Sequence, residues 1–432
     1  MTKRATGARS FNVGVIGAGK RAASYFRYIP DDLRSAMRLT ALVDPNAQNR
    51  AAFTSLFGSG SAVREYADAA EMFEQAELDA VILAPPNRYH AHDAKLAISR
   101  GLHILLEKPV AISVDECREL WRAATSAARP SSVTVGFVLR YTPFYSKVKE
   151  TVFSGELGSI LAIDADENLG TNLTGLFHKG WRREDRFSGG FMVEKCCHDL
   201  DILNWLVDAP VERAFSFAKR THFVPQQPSA GRLTRFETSE ERRVDDADFG
   251  DREISEAFFT PSLGSPYDFP SDSPDHQAVL LDFDQGALAS LTACMGQPRT
   301  TRRIKIFGTD GSLEGNLDDS TIVVHKPHSR GNGWDVATHA VDAEKGNHHG
   351  GDAVLAEAFW RTVADQGAVA RAGLREGIEA VVVALAAQQS SASGQSVYVR
   401  ALREQVFDIA SPGAEIPEQV VSIPTSGRHR RE

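Results

Sequence analysis

The stretch FNVGVIGAGKRA, residues 11–22, decides the fold. An apolar run that is typical of a buried strand leads directly into the pattern G-x-G-x-x-A, which then opens a helix. In this context Gly17 allows a tight turn, Gly19 lets a pyrophosphate approach the backbone, and Ala22 lets the helix pack closely on the strand. The alternative is a glycine-rich turn with no ligand, but a second signal, an acidic residue after the next strand, favours a dinucleotide site.

That second signal is Asp44, the last residue of LTALVD. A carboxylate at the end of the second strand accepts hydrogen bonds from the ribose hydroxyls of NAD and repels the additional phosphate of NADP. Arg50 is the nearest arginine after it, so NAD is favoured and NADP is the alternative. A turn formed with Pro45 would explain the same Asp without a ligand. Lys20 and Arg21 open the helix and are predicted to bind the cofactor too.

Residues 1–137 alternate strand and helix signals. Such alternation predicts βαβ units and a parallel sheet covered on both faces, which is a Rossmann dinucleotide-binding domain. Gly101 stands at an expected helix C-cap, and Ser113 with Glu116 forms a capping-box pattern. The predicted strands are 11–16, 38–43, 79–84, 103–106 and 132–137; the predicted helices are 20–29, 46–57, 68–75, 89–100 and 113–128.

The pattern changes in residues 138–410, which are predicted to form a C-terminal α/β domain for substrate binding and oligomerisation. One long helix is expected over 190–208, strands over 278–284, 287–294, 302–308 and 321–325, and closing helices over 350–364 and 373–390. These strands predict a large, mostly antiparallel open sheet. The polar segment 224–275 is interpreted as a long excursion, and 411–432 as a flexible tail.

Polar residues follow the third and fourth strands, where ligands of open α/β sheets bind. Pro85 and Asn87 follow the third strand, and Glu107 and Lys108 follow the fourth. These four residues are predicted to bind the cofactor. A lysine held at a strand end by the following Pro109 also suits a group that points at a substrate hydroxyl, although an isolated Lys-Pro is often only a surface turn.

The helix GGFMVEKCCHDLDILNWL, residues 189–206, carries the predicted chemistry. At 100° per residue Glu194, His198 and Asp201 lie on one face. The i, i+4 spacing predicts that the Glu194 carboxylate binds a ring nitrogen of His198, fixing its tautomer and raising its basicity. A solvated Glu–His pair is the alternative. Metal ligation is not predicted, because no second histidine stands at a suitable spacing, and Cys196 and Cys197 are interpreted as packing residues.

Composition excludes several classes of function. The chain has 48 Lys plus Arg against 57 Asp plus Glu, a formal net charge of -9, which disfavours nucleic acid and anionic membrane surfaces as partners. No apolar run approaches the ~20 residues that span a bilayer. Four cysteines without a CxxC pair disfavour a disulfide framework or structural zinc and favour the cytoplasm.

Taken together, the fingerprint, the Glu107-Lys108-Pro109 triplet and the His198 helix resemble the Gfo/Idh/MocA oxidoreductases, the group of glucose–fructose oxidoreductase and inositol 2-dehydrogenase. The resemblance covers nearly the whole chain, including VGFVLRYTPFYSKVKE at 135–150. It implies NAD(H) or NADP(H), a sugar or cyclitol substrate oxidised at a carbinol, and a homodimer or homotetramer formed through the large sheet.

The resemblance also implies residue roles. Lys108 would bind the reacting hydroxyl, His198 would take its proton, and Glu194 would orient His198. Asp201 and Arg140 are candidates for substrate contact or for support of the domain interface. The more common family pattern has Asp where Glu194 stands, and VEKCCHDLD is similar to one branch with a Glu-Lys-Cys core.

Three functions therefore compete. The first is an NAD-dependent polyol or sugar dehydrogenase. The second is a redox-neutral glycosidase, epimerase or dehydratase that oxidises its substrate transiently and returns the hydride. The third is a nucleotide-sensing protein without catalysis, because a Rossmann fold alone does not prove chemistry.

Overall fold

The structure is a computed structural model that describes residues 10–58, 62–170, 174–225, 252–258, 265–328, 333–341 and 347–408. The predicted tail, 411–432, and most of the predicted 224–275 excursion lie outside the described residues.

A parallel sheet forms the N-terminal domain, as predicted, and it contains the five predicted strands and a short sixth strand, β3, that was not predicted. Its spatial order is β3-β2-β1-β4-β5-β6, so β2 and β3 lie on one side of β1 and the later strands β4 to β6 on the other, with the switch point between β1 and β4. Ligands of such sheets bind at the carboxyl ends of the strands beside this switch point. The strands are β1 (Phe11–Ile16), β2 (Met37–Val43), β3 (Arg64–Glu65), β4 (Ala80–Leu83), β5 (His103–Leu106) and β6 (Ser132–Val135).

The helices between these strands begin and end at the predicted signals. The Ser113 side chain accepts a hydrogen bond from the Glu116 N–H, and Gly101 follows the last turn of its helix with φ 68°. The other half of the predicted capping box differs, because the Glu116 carboxylate accepts from the Ile112 N–H. The helices are α1 (Lys20–Arg27), α2 (Ala47–Phe57), α3 (Ala69–Gln75), α4 (His90–Ser99) and α5 (Val114–Ser126).

A nine-stranded sheet dominates the C-terminal half, and its order is β14-β13-β12-β11-β7-β10-β9-β8-β15. Only the central pair β7 and β10 is parallel, which confirms the mostly antiparallel prediction. The strands are β7 (Ile160–Gly170), β8 (Val211–Lys219), β9 (His276–Phe283), β10 (Leu288–Gln297), β11 (Thr301–Gly308), β12 (Ser312–Asn316), β13 (Thr321–Pro327), β14 (Trp334–Ala340) and β15 (Val397–Tyr398).

Some helices of the C-terminal half pack on this sheet, and others contact the first domain. They are α6 (Pro143–Phe153), α7 (Asp185–Ser188), α8 (Phe191–Glu194), α9 (Cys197–Val207), α10 (Arg252–Ala257), α11 (Gly351–Val363), α12 (Leu374–Ser393) and α13 (Val399–Phe407). Within the described ranges, none of the helices combines the length and the apolar character needed to cross a bilayer.

Helix α11 follows the large sheet in sequence but packs on the N-terminal domain. Trp360 is fully buried, lies edge-on to Phe26 with ring centroids 5.4 Å apart, and donates from Nε1 to the Tyr25 carbonyl at 2.9 Å. Leu355 and Phe359 join the same apolar cluster. The start of α11 is therefore fixed beside the glycine-rich turn.

Candidate active site

The turn between β1 and α1 has the geometry that a pyrophosphate requires. Gly17 adopts φ +83°, and a Cβ there would lie 2.5 Å from the Ala84 backbone. Gly19 precedes α1 without a side-chain cap, and a Cβ on it would meet no described protein atom within 4 Å. A residue larger than glycine would fill this cradle in front of the helix N-terminus, where N–H groups favour an anion. The residues present therefore fit NAD.

Paired alanine substitutions at these two glycines separate folding from cofactor binding. Gly17→Ala forces a left-handed residue against backbone and is expected to cost about 1–3 kcal/mol of unfolding free energy or more. Gly19→Ala should cost at most the ~1 kcal/mol of a poorer N-cap, yet raise the Kd for NAD at least ~10-fold, about 1.4 kcal/mol. Thermal unfolding and NAD titration measure both; a Gly19→Ala protein with wild-type NAD affinity would contradict the placement.

Asp44 lies directly after β2, at the predicted ribose position. One carboxylate oxygen accepts from the Asn46 N–H at 2.8 Å, so the Asp also forms the turn that was its alternative explanation. Arg50 donates to the Asp44 carbonyl at 2.7 Å and to Glu65 at 2.6 Å. Because these two internal contacts hold the Arg50 guanidinium, the nearest arginine is committed within the protein, which favours NAD over NADP.

Arg21 and Glu107 were predicted to bind the cofactor, but their charged groups contact each other. Arg21 also donates to Asp352 at 2.6 Å and to the Tyr25 hydroxyl at 2.6 Å. Burial disfavours the charged form of Glu107, yet Arg21 and Lys108 lower the pKa of this carboxyl below its usual value. The pair therefore supports the nucleotide turn from within. The contact of Arg21 with Asp352, 331 residues later, could not be predicted from the sequence.

His90 joins the two strand-end turns that carry predicted site residues. Its ring is buried, with Nδ1 2.6 Å from the Pro109 carbonyl and Nε2 2.9 Å from the Pro85 carbonyl. No role was predicted for this histidine from the sequence. Its contacts instead fix the turn after β4 relative to the turn after β5.

Lys108 reaches across to the segment that bears His198, as predicted. Its Nζ donates to the Glu194 carbonyl at 2.6 Å, and its own N–H donates to the Glu107 carboxylate at 3.0 Å. Since Glu194 ends α8 and His198 lies in the first turn of α9, this contact brings the amine and the imidazole to the same place. Two elements that are 86 residues apart thus meet at the carboxyl end of the sheet.

The single long helix predicted over 190–208 is wrong, because the helix is broken between α8 and α9. The Cys196 N–H bonds back to the Phe191 carbonyl at 3.4 Å, five residues earlier, and Lys195 closes α8 with φ −106°. The break shifts the angular relation between Glu194 and His198. The i, i+4 geometry on which their predicted contact depended is therefore lost.

The predicted Glu194–His198 hydrogen bond is accordingly absent among the described contacts. The Glu194 carboxylate, which is 4% exposed, accepts from Arg182 Nε at 3.0 Å and from the Asn87 amide. A guanidinium and an amide satisfy a buried carboxylate better than a neutral ring does. Asn87 also donates to the Ser188 carbonyl at 2.8 Å, so this predicted cofactor residue links the β4 turn to the segment before α8.

His198 is buried and neutral. Its Nδ1 is enclosed and has no hydrogen-bond partner among the described residues, and its ring lies edge-on to Phe137 at 5.8 Å. Burial, followed by the positive charges of Lys108, Lys195 and Arg302, holds the pKa of His198 well below its usual value. The carboxylate contact that was predicted to raise the basicity of His198 is missing. Because the pKa is lowered instead, the ring stays unprotonated, and so able to take a proton, down to a lower pH.

A pH profile tests this electrostatic arrangement. Because the imidazolium is disfavoured, the acidic limb of kcat/KM is expected below the ordinary histidine pKa of about 6.5. Lys195→Met removes one of the positive charges and should move the limb to higher pH. Lys305→Met, which changes an exposed lysine on β11, should leave it in place. A limb that does not respond to Lys195→Met would contradict the arrangement.

A buried ionic cluster beside His198 was not predicted from sequence. Glu167 on β7 contacts Lys195 at 3.2 Å and Arg302, and Arg302 Nε lies 2.9 Å from the Asp199 carboxylate. Glu167, Asp199 and Arg302 are at most 8% exposed. The only sequence signal was the presence of charged residues at inward positions of two strands. Two members of this cluster, Lys195 and Arg302, add to the positive charge of Lys108 near His198.

Asp201 and Arg140 bind each other through two hydrogen bonds, of 2.7 and 2.8 Å, and both side chains are nearly inaccessible. Arg140 also donates to the Arg371 carbonyl at 2.6 Å. With their polar groups engaged internally, support of the domain interface is favoured over substrate contact. Burial raises the pKa of both neighbouring thiols, that of Cys197 to about 12 and that of Cys196 well above its usual value, so packing fits these residues.

Two family descriptions match this chain. Residues 11–137 match "Oxidoreductase family, NAD-binding Rossmann fold", and residues 149–399 match "Oxidoreductase family, C-terminal alpha/beta domain". The Bacillus subtilis (strain 168) protein YteT is 25% identical over 377 residues, which cover 80% of this chain and 87% of that protein. Inositol 2-dehydrogenase of Klebsiella pneumoniae (strain 342) is 26% identical over 55% of this chain and 66% of that enzyme.

Solved structures show the same fold. Levoglucosan dehydrogenase in complex with NADH and levoglucosan superposes with a TM-score of 0.68 at 19% identity, covering 90% of this chain and all of that one. Apo scyllo-inositol dehydrogenase from Lactobacillus casei gives 0.64 at 17% identity, with 91% and 99% covered. The two family matches together span most of the sequence, and the glycine-rich turn fits their cofactor. The chain belongs to the Gfo/Idh/MocA family of NAD-binding oxidoreductases.

Proposed function

We propose that this chain is an NAD-dependent dehydrogenase that oxidises a carbinol of a sugar or cyclitol. The observation that carries the proposal is the contact of Lys108 Nζ with the Glu194 carbonyl, which sets an ammonium beside the neutral imidazole of His198 at the carboxyl end of the sheet. A hydroxyl placed between them meets both a hydrogen-bond donor and a base. Inositol and levoglucosan dehydrogenases among the similar proteins support a polyhydroxylated substrate.

The proposed chemistry divides between the two side chains. Lys108 binds the substrate oxygen and stabilises negative charge as it develops there. His198 takes the proton as the O–H bond breaks, and the C–H bond breaks with its electron pair to leave a carbonyl. When bound, NAD supplies the acceptor for that hydride. Glu194 holds Asn87 and Arg182 in place through its carboxylate.

A screen of sugars, cyclitols and their acids, with NAD and NADP in parallel, tests this function. Reduced NAD is expected to accumulate with at least one carbinol, and NADP should serve less well because the Asp44 carboxylate after β2 would repel its additional phosphate. Product formation with catalytic cofactor and no accumulation of NADH would favour the redox-neutral alternative. NAD binding without conversion of any compound would favour a nucleotide sensor.

We further propose that two copies associate through the open face of the large sheet. On the five consecutive strands β8, β9, β10, β7 and β11, the large apolar residues that are more than 40% exposed include Phe217, Leu280, Leu288 and Phe307. Contiguous apolar surface of this kind is typical of an interface. Light scattering should report a dimer or tetramer that Leu280→Lys with Phe307→Glu converts to folded monomers. A wild-type monomer would contradict this assembly.

A further inference from the structure

A histidine other than His198 lies next to the candidate active site, and a carboxylate orients its ring. His348 Nδ1 lies 2.8 Å from Asp352 Oδ2 at the start of α11. Asp352 is fully buried, and its other oxygen accepts from Arg21 at 2.6 Å. Burial disfavours the charged carboxylate, but Arg21 and His348 outweigh it and hold the pKa of Asp352 well below its usual value. The ionised Asp352 accepts the Nδ1 proton, so Nε2 is the nitrogen of His348 left to a ligand.

The loop that carries this ring is fixed on both sides of the proposed reaction site. Through Asp352, His348 is tied to Arg21, which contacts the residue before Lys108. The adjacent His349 has Nε2 3.8 Å from Asp318, whose carboxylate accepts from the backbone N–H of Arg302. The loop is therefore connected on one side to Arg21, beside Lys108, and on the other side to Asp318 and Arg302, beside His198.

His348 is also near His198, because its protonated form would be one of the groups that lower the pKa of that ring. The His348 side chain is also 37% exposed, whereas that of Asp352 is fully enclosed. A ring that is held at Nδ1 and partly exposed can contact a ligand through Nε2. Residues 348 and 349 both have left-handed backbones, with φ 48° and 52°, which the surrounding contacts must maintain.

We propose that His348 is a further substrate-contacting residue, whose Nε2 binds a hydroxyl group next to the carbinol that is oxidised. The ligand class is a vicinal diol of a sugar or cyclitol, and Asp352 is the positioning residue that holds the ring. The assignment rests on the proposed dehydrogenase function for its reacting carbinol. Neutral imidazole with a proton on Nδ1 accepts the hydroxyl hydrogen at Nε2.

Variants of similar shape distinguish a ligand contact of His348 Nε2 from a purely structural role of His348 beside Asp352. His348→Asn keeps an N–H donor near Nδ1 for Asp352 and removes the far nitrogen, while His348→Gln places a polar group near Nε2. His349→Asn makes the same change at the adjacent left-handed residue and is the matched control. Asparagine tolerates this backbone conformation well.

The expected result is a rise in KM for the polyol of roughly 5- to 10-fold in His348→Asn, the usual effect of one lost hydrogen bond. His348→Gln should recover part of it, and His349→Asn should raise KM less, because it removes a loop contact with Asp318 but keeps the ring proposed to bind the ligand. NAD affinity should be unchanged in all three variants, and Tm should be unchanged in the two His348 variants. A wild-type KM in His348→Asn would show that the ring only holds Asp352 and would overturn the proposal.

A second measurement does not depend on turnover. Diethyl pyrocarbonate modification of His348, followed by mass spectrometry, is compared with and without myo-inositol or levoglucosan on the NADH-loaded enzyme. Protection of His348 by either probe supports the contact even if no compound is oxidised, in which case only the dehydrogenase proposal fails. Turnover of a probe without protection overturns the contact and leaves the dehydrogenase proposal intact. If neither protection nor turnover is observed, both proposals are overturned.

Discussion

Replacing His198 by Asn is expected to lower kcat by about 10²–10⁴-fold, the usual contribution of a positioned general base. The asparagine retains a polar group of similar size but cannot take the hydroxyl proton. NAD binding should be unchanged, because the glycine-rich turn and Asp44 lie on other elements. Steady-state kinetics with the best substrate of the screen, together with NAD titration, measure the two quantities.

His178→Asn is the matched control for that variant. His178 is fully enclosed, and burial lowers its pKa to about 4, so it is also a buried neutral histidine. Its ring contacts Ser271 and stacks on Phe223, away from Lys108 and His198. The control should lose stability but keep its kcat per folded molecule. A His198→Asn enzyme with kcat near wild type would remove His198 from the proposed mechanism.

Replacing Arg140 by Met is expected to cost about 3–5 kcal/mol of unfolding free energy, because it leaves Asp201 as an unpaired buried carboxylate. It also removes the donor to the Arg371 carbonyl. Denaturant unfolding measures the loss. Arg213→Met, which breaks an exposed ion pair with Asp282, is the control and should change the midpoint little.

The pH dependence of the stability loss in Arg140→Met tests whether the unpaired Asp201 carboxylate causes it. Burial raises its pKa to about 6 even with Arg140 present. A group with a raised folded-state pKa contributes most stability when it is protonated and loses that contribution as the pH rises through its folded-state pKa. Without Arg140 the pKa rises further, so the deficit of Arg140→Met should be larger at pH ~8 than at pH ~5. An equal deficit at both values would contradict this explanation.

The N-terminal domain could be predicted from sequence because most of its strands are short, mainly buried apolar runs; the exposed two-residue strand β3 was missed. All four residues of β4 are buried, and such runs stand out between turn signals. The strand β7, with the sequence ILAIDADENLG, was missed because its charged residues alternate between solvent and a buried ionic cluster. β14 was missed because it is an exposed strand at the sheet edge.

The candidate site was predicted in part. Lys108 and His198 were both chosen from sequence, and their elements meet. The contact of Glu194 with His198 failed because FMVEKCCHDL contains no glycine or proline to announce the break between α8 and α9. The contacts of Arg21 and Asp352 join residues more than 300 positions apart, and only the fold determines that pairing.

The most direct test of the central claim uses a polyol deuterated at its reacting carbon. Lys108 and His198 together are proposed to drive hydride transfer from that carbon to bound NAD. Mass spectrometry of the cofactor after one turnover should find deuterium on the nicotinamide with the wild-type enzyme and almost none with Lys108→Met or His198→Asn at equal NAD saturation. Equal label with these variants, or none with the wild-type enzyme across the panel, would contradict the account.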